Sequence, residues 1–380
     1  MSAEVFRYPC TGRIEHAGFG AFLEAELKEP RYNLKRFAAE LREKFGAGRI
    51  TLVNSGSSAN LAAAFALAEQ TGRGHAIAAG FTFPTTLSSL LAAGFDVTLV
   101  DTELDGFNMD LTALEDEVRP STRVICVTHF LGFPARIDEI HEVAARKGLL
   151  VLQDCCESLD LRVGHGPAHR RGTLATWSFY HPHHLSSYGG GALVCPDEDW
   201  HRRAESLTHW GRACTCHADK LTCMAPEGMD HQFWYERPGF NLEMSELNAC
   251  FGRYQLRSFR EQEDRRRRHY RTLFGLLADH RNLKVWPLPD ESGSPFVFPV
   301  SVRNRDPEDV TARLRARSVE VRSLMGGVAT WQPAFRNLQS DGLERCTSLA
   351  ATSFFVGIHQ TLKDEDVAAV GRLIAEEASR

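Results

Sequence analysis

No stretch of the chain approaches the roughly 18 consecutive apolar residues that a membrane-spanning helix needs, so no membrane partner is expected. The first residues show no basic head, apolar middle and small-residue cleavage site, and a cytoplasmic protein is the expectation. An excess of positive charge is also missing. Lys and Arg number 44 against 49 Asp and Glu, a formal net charge of −5. That leaves no electrostatic reason to expect nucleic acid as a partner. The one basic run, Arg265-Arg266-Arg267-Arg268, stands among Glu261, Glu263 and Asp264 in a helical pattern and reads as a solvated helix face. There is no internal repeat and no low-complexity linker. A disulfide framework is not expected of ten cysteines in a cytoplasmic protein, which turns attention to metal or cluster roles.

What is present is an ordinary globular composition, 43% hydrophobic and 24% charged, over 380 residues. That length suits one large domain and a smaller one, divided here as 1–255 and 256–380. Phe19, Phe22, Leu23, Leu27, then Leu34, Phe37, Leu41 and Phe45 recur at helical spacing, with Pro30 interrupting them. Short apolar strands (50–53, 97–100, 124–130, 149–152) then alternate with helical runs (61–69, 111–118, 137–147). This alternation predicts a mainly parallel sheet covered on both faces, with ligands beyond the carboxyl ends of its strands. One long amphipathic helix is expected over 246–277, and a small α/β unit over 296–377.

Five stretches carry chemistry. Trp177 to Val194 holds His181, His183 and His184 and then Gly189-Gly190-Gly191, between two apolar segments. Glycine there fits a tight turn or a close approach to a ligand, while three satisfied surface histidines are the bland alternative. Asn54-Ser55-Gly56-Ser57-Ser58-Ala59-Asn60 lies between a strand and a helix start. Free N–H groups and the helix dipole there suit phosphate, although an N-cap with a turn has the same signature. Phe81-Thr82-Phe83-Pro84-Thr85-Thr86 opens another helix, and Asp154 sits just past the carboxyl end of a strand. The last signal is Cys156, then Cys214 after 57 intervening residues, Cys216 after one and Cys223 after six. Four thiolates suit an iron–sulfur centre or zinc, and buried inert cysteines are the alternative. Cys10, Cys126, Cys155, Cys195, Cys250 and Cys346 have no partner at telling spacing and read as packing.

Ser178-Phe179-Tyr180, a polar loop and Gly190-Gly191-Ala192 resemble the cofactor loop of the DegT/DnrJ/EryC1/StrS sugar aminotransferases, which reads S-F-x-x-x-K. The resemblance runs from about Phe19 to the end of the chain. It implies an α/β, pyridoxal-phosphate-dependent transferase fold of type I (aspartate aminotransferase-like), with a mainly parallel seven-stranded sheet. At the lysine position stands His183, which has no primary amine and cannot form an imine. This resembles the family's nucleotide-sugar 3-dehydratases, which hold pyridoxamine phosphate unattached and use histidine as base. His184 is the next residue, and a one-residue gap would exchange the two roles.

By the same resemblance Gly56, Ser57, Ser58 and Ser178 would bind the cofactor phosphate. Phe83 would stack on the pyridine ring, or else be a core phenylalanine, and Asp154 would hold the ring nitrogen protonated. Glu157 stands where the family has Gln or Asp. Asn241, in Pro238 to Leu242, would reach the phosphate in a neighbouring subunit, which implies a homodimer; Glu243 replaces a usual basic residue. Cys156, Cys214, Cys216 and Cys223 nearly repeat the [2Fe–2S] spacing of one such dehydratase, with the last gap one residue shorter. The implied activity is C3 dehydration of a nucleotide-linked 4-keto-(6-deoxy)hexose, with electrons from a separate reductase or ferredoxin completing the deoxygenation.

Overall fold

The computed structural model describes residues 7–27, 31–214, 225–288, 293–324, 327–340 and 342–380. Helices α1 (Phe19–Glu26) and α2 (Tyr32–Phe45) come first. Seven strands then build the large sheet: β1 (Arg49–Val53), β2 (His75–Ala79), β3 (Asp96–Val100), β4 (Thr122–Thr128), β5 (Leu150–Asp154), β6 (Leu174–Ser178) and β7 (Gly191–Cys195). Between and after them run α3 (Gly56–Thr71), α4 (Pro84–Ala92), α5 (Leu111–Asp116), α6 (Ile137–Lys147) and α7 (Glu198–Thr208). The spatial order is β1-β7-β6-β5-β4-β2-β3, and an eighth short strand, Gln339–Ser340, adds in parallel outside β3. Only β7 runs against the rest. The central strands are buried on both faces, as a parallel sheet under helices must be, so they read as nearly unbroken apolar runs. Strand β2, His-Ala-Ile-Ala-Ala, escapes the sequence reading because alanine has little strand preference; its place is set by two neighbours, β3 and β4.

The second unit is a four-stranded antiparallel sheet, β8 (Leu283–Val285), β9 (Phe298–Val302), β10 (Arg322–Ser323) and β11 (Ser353–Val356), in the order β8-β9-β11-β10. Helices α8 (Glu246–Leu256), α9 (Phe259–Leu277), α10 (Pro307–Ala316), α11 (Glu344–Thr352) and α12 (Asp364–Ser379) accompany it. The helix expected over 246–277 is two helices, broken at Arg257-Ser258. The halves bury different faces: α8 packs on α2, and α9 on α12. A straight helix could not serve both. The basic run on α9 is likewise not a plain solvated face, because Arg266 is 3% exposed and points inward. The segment around Tyr8 also packs on this unit. Tyr8 bridges to Val319 and its hydroxyl donates to the carbonyl of Gly357 at 2.7 Å.

A separate aromatic layer supports the segment after β6. Phe37 of α2 is fully buried against Phe179, ring centroids 5.3 Å apart, and Phe45 meets Trp177 at 5.6 Å. Truncation at Phe37 removes this support and leaves a cavity. Phe37→Ala should therefore lower the free energy of unfolding by about 3–5 kcal/mol, read as a lower denaturant midpoint at unchanged slope.

Candidate active site

The carboxyl ends of β4, β5 and β6 open into a cavity of about 870 Å³. Helices α3 and α4 begin at its edge, Phe296, Val297, Arg322, Ser323 and Phe355 of the second unit form one wall, and Cys10 and Thr11 close another side.

Helix α3 starts at Gly56, five residues before the expected Leu61. The polar run read as a turn is the helix's first turn. Ser55 caps it, its Oγ accepting from the Ser58 amide at 3.0 Å. Ser58 Oγ turns back to Asn54 Oδ1 at 2.6 Å, and Ser58 does not line the cavity. Gly56, Ser57 and Ser178 do, and Ser57 Oγ lies 2.8 Å from Thr85 Oγ1, at the start of α4. Two helix N-termini with hydroxyl donors thus face one corner, a geometry that attracts a phosphate. Gly56 has no room for a side chain: a Cβ would lie 2.7 Å from Ser178 Cβ and 2.9 Å from Cys156 Sγ.

Asp154 ends β5 and is 4% exposed. Its Oδ2 accepts from Thr86 Oγ1 at 2.6 Å and from Asn60 Nδ2 at 2.9 Å, and its Oδ1 accepts from the Cys156 amide at 3.0 Å. Asn60 and Thr86 stand in the stretches picked out in the sequence, but nothing there marks them as the groups that hold Asp154. Phe83 precedes α4 and is half exposed, within the cavity rather than in the core. Glu157 also lines the cavity and takes the Leu131 amide on Oε2 at 2.8 Å. Burial lifts its carboxyl to about 8, so it carries a proton at neutral pH.

The loop after β6 separates its histidines. His183 lines the main cavity, its ring 5.3 Å from that of Phe296. Its Nδ1 is buried without a hydrogen-bond partner, and burial draws its pKa down to about 4, which leaves a neutral imidazole able to take a proton. His184 turns away and its Nε2 meets the Ser294 carbonyl at 3.1 Å. His181 does not line the cavity. Gly189 and Gly190 follow with φ of 131° and 119°, and both border the cavity. The positive φ of Gly190 is what favours glycine there, since the nearest atom to an added β-carbon is the mobile end of Met244.

Asn241 is exposed and lies outside this cavity. The neighbouring Glu243 has a partner of its own: it pairs with Arg31 at 2.8 Å and lies 3.3 Å from His209 Nε2. A basic residue would meet Arg31 there. Of the four spaced cysteines, Cys156 lines the cavity beside Gly56. Burial, then the Asp154 carboxylate, pushes its thiol well above the ordinary value. Cys214 follows a segment anchored by the Ala213 amide on the Trp234 carbonyl at 3.0 Å. Cys216 and Cys223 lie outside the described residues. Among the described residues no three His, Cys, Asp or Glu side chains are grouped to hold a metal. The other cysteines are buried as expected, except that Cys10, also buried, borders the cavity.

Comparison with known proteins bears on this geometry. Residues 24–375 match the DegT/DnrJ/EryC1/StrS aminotransferase family. The chain belongs to that family. A dTDP-4-dehydro-2,6-dideoxy-D-glucose 3-dehydratase of Saccharopolyspora spinosa is 31% identical over 369 residues, which cover 90% of this chain and 80% of the relative. A dTDP-4-amino-4,6-dideoxy-D-glucose transaminase of Escherichia coli is 26% identical over 352 residues, 89% of each chain. Among solved structures, Escherichia coli GDP-4-keto-6-deoxy-D-mannose-3-dehydratase with bound hydrated PLP superposes with a TM-score of 0.88 at 21% identity, covering 98% of this chain and 100% of the other. The fold is therefore that of the DegT family, a type I α/β architecture. Relatives with two activities, dehydratase and transaminase, share it.

The contact at Gly56 gives a test of the phosphate corner. Gly56→Ala should lower stability by about 1–3 kcal/mol through overpacking. It should also weaken retention of pyridoxal phosphate by the folded protein, measured by equilibrium dialysis beside thermal unfolding.

Proposed function

We propose that this chain is a pyridoxamine-phosphate-dependent 3-dehydratase of a nucleotide-linked 4-keto-6-deoxyhexose. The observation that carries this reading is His183 at the lysine position of the family's cofactor loop, in a cavity that no lysine lines among the described residues. A transaminase of this family needs an amine on the protein to hold the cofactor between half-reactions; an imidazole cannot supply one.

The cavity fits pyridoxamine phosphate. Gly56, Ser57, Thr85 and Ser178 would hold the phosphate, Phe83 would cover one face of the ring and Asp154 would meet the ring nitrogen. Bound there, the cofactor supplies the amine that the protein lacks and a ring able to accept electron density. Asn60 and Thr86 keep Asp154 turned to that task. The neutral imidazole of His183 takes a proton at one side of the cavity and returns it to the departing C3 oxygen, so that water leaves. Glu157, protonated, is placed to donate a hydrogen bond within the same cavity. Exposed Asn241 suits contact with a second copy of the chain, in a homodimer.

Two measurements test this. Pyridoxamine phosphate should leave on dialysis, and borohydride should fix no cofactor to the protein; a reduced lysine adduct overturns the assignment. In assays offering dTDP-, GDP- and CDP-linked 4-keto-6-deoxyhexoses, His183→Asn should bind cofactor and lose about 10²–10⁴-fold in dehydration. His184→Asn, altering a side chain that faces Ser294, should lose less.

The cysteine spacing supports a further component, a [2Fe–2S] centre held by Cys156, Cys214, Cys216 and Cys223. It would pass single electrons from a separate reductase or ferredoxin, and Cys156 at the cavity wall suits that route. Anaerobically purified protein should contain two irons and two acid-labile sulfides per chain and bleach with dithionite, a stoichiometry set by the two-iron cluster type. Serine at any of the four should abolish electron transfer and spare dehydration. Stoichiometric zinc without sulfide would replace the cluster with a structural site.

A further inference from the structure

Arg266 lies in the middle of the run that sequence alone assigns to solvent, yet it is 3% exposed. Taking a charge out of water costs several kcal/mol even after relaxation, so a buried guanidinium needs partners. Its Nη1 donates to the Phe296 carbonyl at 3.1 Å and its Nη2 to the His183 carbonyl at 3.4 Å. Nothing else in the described structure joins these two carbonyls through one side chain.

Both carbonyls belong to irregular backbone around the proposed base. Phe296 leads into β9, and its ring packs on those of His183 and His184, at 5.3 and 5.9 Å. Its segment is tied down again nearby, by the Ser294 amide on the Gly132 carbonyl at 3.0 Å and the Phe296 amide on the Leu131 carbonyl at 3.2 Å. The Leu131 amide in turn donates to Glu157 Oε2 at 2.8 Å. The guanidinium thus sets the backbone of His183 and, through Phe296, the surface against which its ring lies.

We infer that Arg266 is a positioning residue for His183, bridging the base's own carbonyl and that of the aromatic residue packed on its ring. The inference rests on His183 as the base. Lysine presents a single ammonium instead of a planar fork, so it can hold one carbonyl well but not both in the same geometry. Methionine fills much of the volume and holds neither.

The experiment compares Arg266→Lys, Arg266→Met and Arg265→Ala, using whichever nucleotide-linked 4-keto sugar the holoenzyme turns over. Arg265 sits on the same helix but donates to the Leu362 carbonyl. Arg266→Met should lower kcat by about 10–100-fold, the scale expected for misplacing a reacting group by roughly 1 Å. KM and the dissociation constant of pyridoxamine phosphate should stay within about 3-fold, well inside that kcat effect. Arg266→Lys should recover part of kcat, and Arg265→Ala should keep it. In the His183→Asn background, Arg266→Met should cost nothing more. In cofactor-free protein, the amides of 181 and 183–185 should exchange hydrogen faster in both Arg266 variants. If Arg266→Met does not fold, Arg266→Lys and the exchange measurement carry the test. Full kcat in a folded Arg266 variant, an equal loss in the His183→Asn background, or unchanged exchange overturns the inference. Full activity of His183→Asn alone would instead overturn the base assignment on which it stands.

Discussion

A carboxylate shut away from water must be held, and Asp154 is held from three directions. One hydrogen bond comes from α3, one from α4 and one from the chain's own next turn. Charge-assisted bonds of this kind each contribute about 1.5–3 kcal/mol, enough to offset the burial of one carboxylate. The requirement reaches outward. It fixes where α3 and α4 begin relative to the end of β5, and those two starts border the cavity. The same packing brings Cys156 against Gly56 with no room for a methyl group. The two helix starts and the thiol position thus follow from one buried carboxylate and the groups that satisfy it.

Much of this was legible in the sequence because the signals are local. A strand, a serine-glycine turn and a helix start are neighbours in the chain, and so are a strand end and Asp154. The base role of His183 comes from its place in the family's S-F-x-x-x-K loop; the structure sets His183 on the cavity wall and turns His184 to Ser294. The illegible parts depend on distant packing. Strand β2 has weak intrinsic preference and is imposed by its neighbours. The break at Arg257-Ser258 carries no proline or glycine; it exists because α8 and α9 pack on different partners. Arg266 reads as solvated because it stands in a run of charged residues, while the two carbonyls that it satisfies lie far off in sequence, at residues 183 and 296; Glu263 on the same helix is buried as well. The strand at Gln339–Ser340 is too short to show any pattern. Cys216 and Cys223 fall outside the described residues, so the four-cysteine pattern stands on the sequence for half its members.

The two units share their architecture in both directions. The second lends a strand to the edge of the large sheet, and its Phe296, Val297 and Arg322 line the cavity. The first lends the His183 carbonyl to a guanidinium on α9. Both units therefore shape the cavity.

Tyr8 finds its carbonyl partner 349 residues further along, and Cys10 donates to Glu320, 310 residues away. Neither contact can form in folding before the segments around Glu320 and Gly357 are in place. Contacts of such sequence separation close late and slowly. Cys10 and Thr11 wall the cavity, so that side of the pocket closes only once these distant contacts are made.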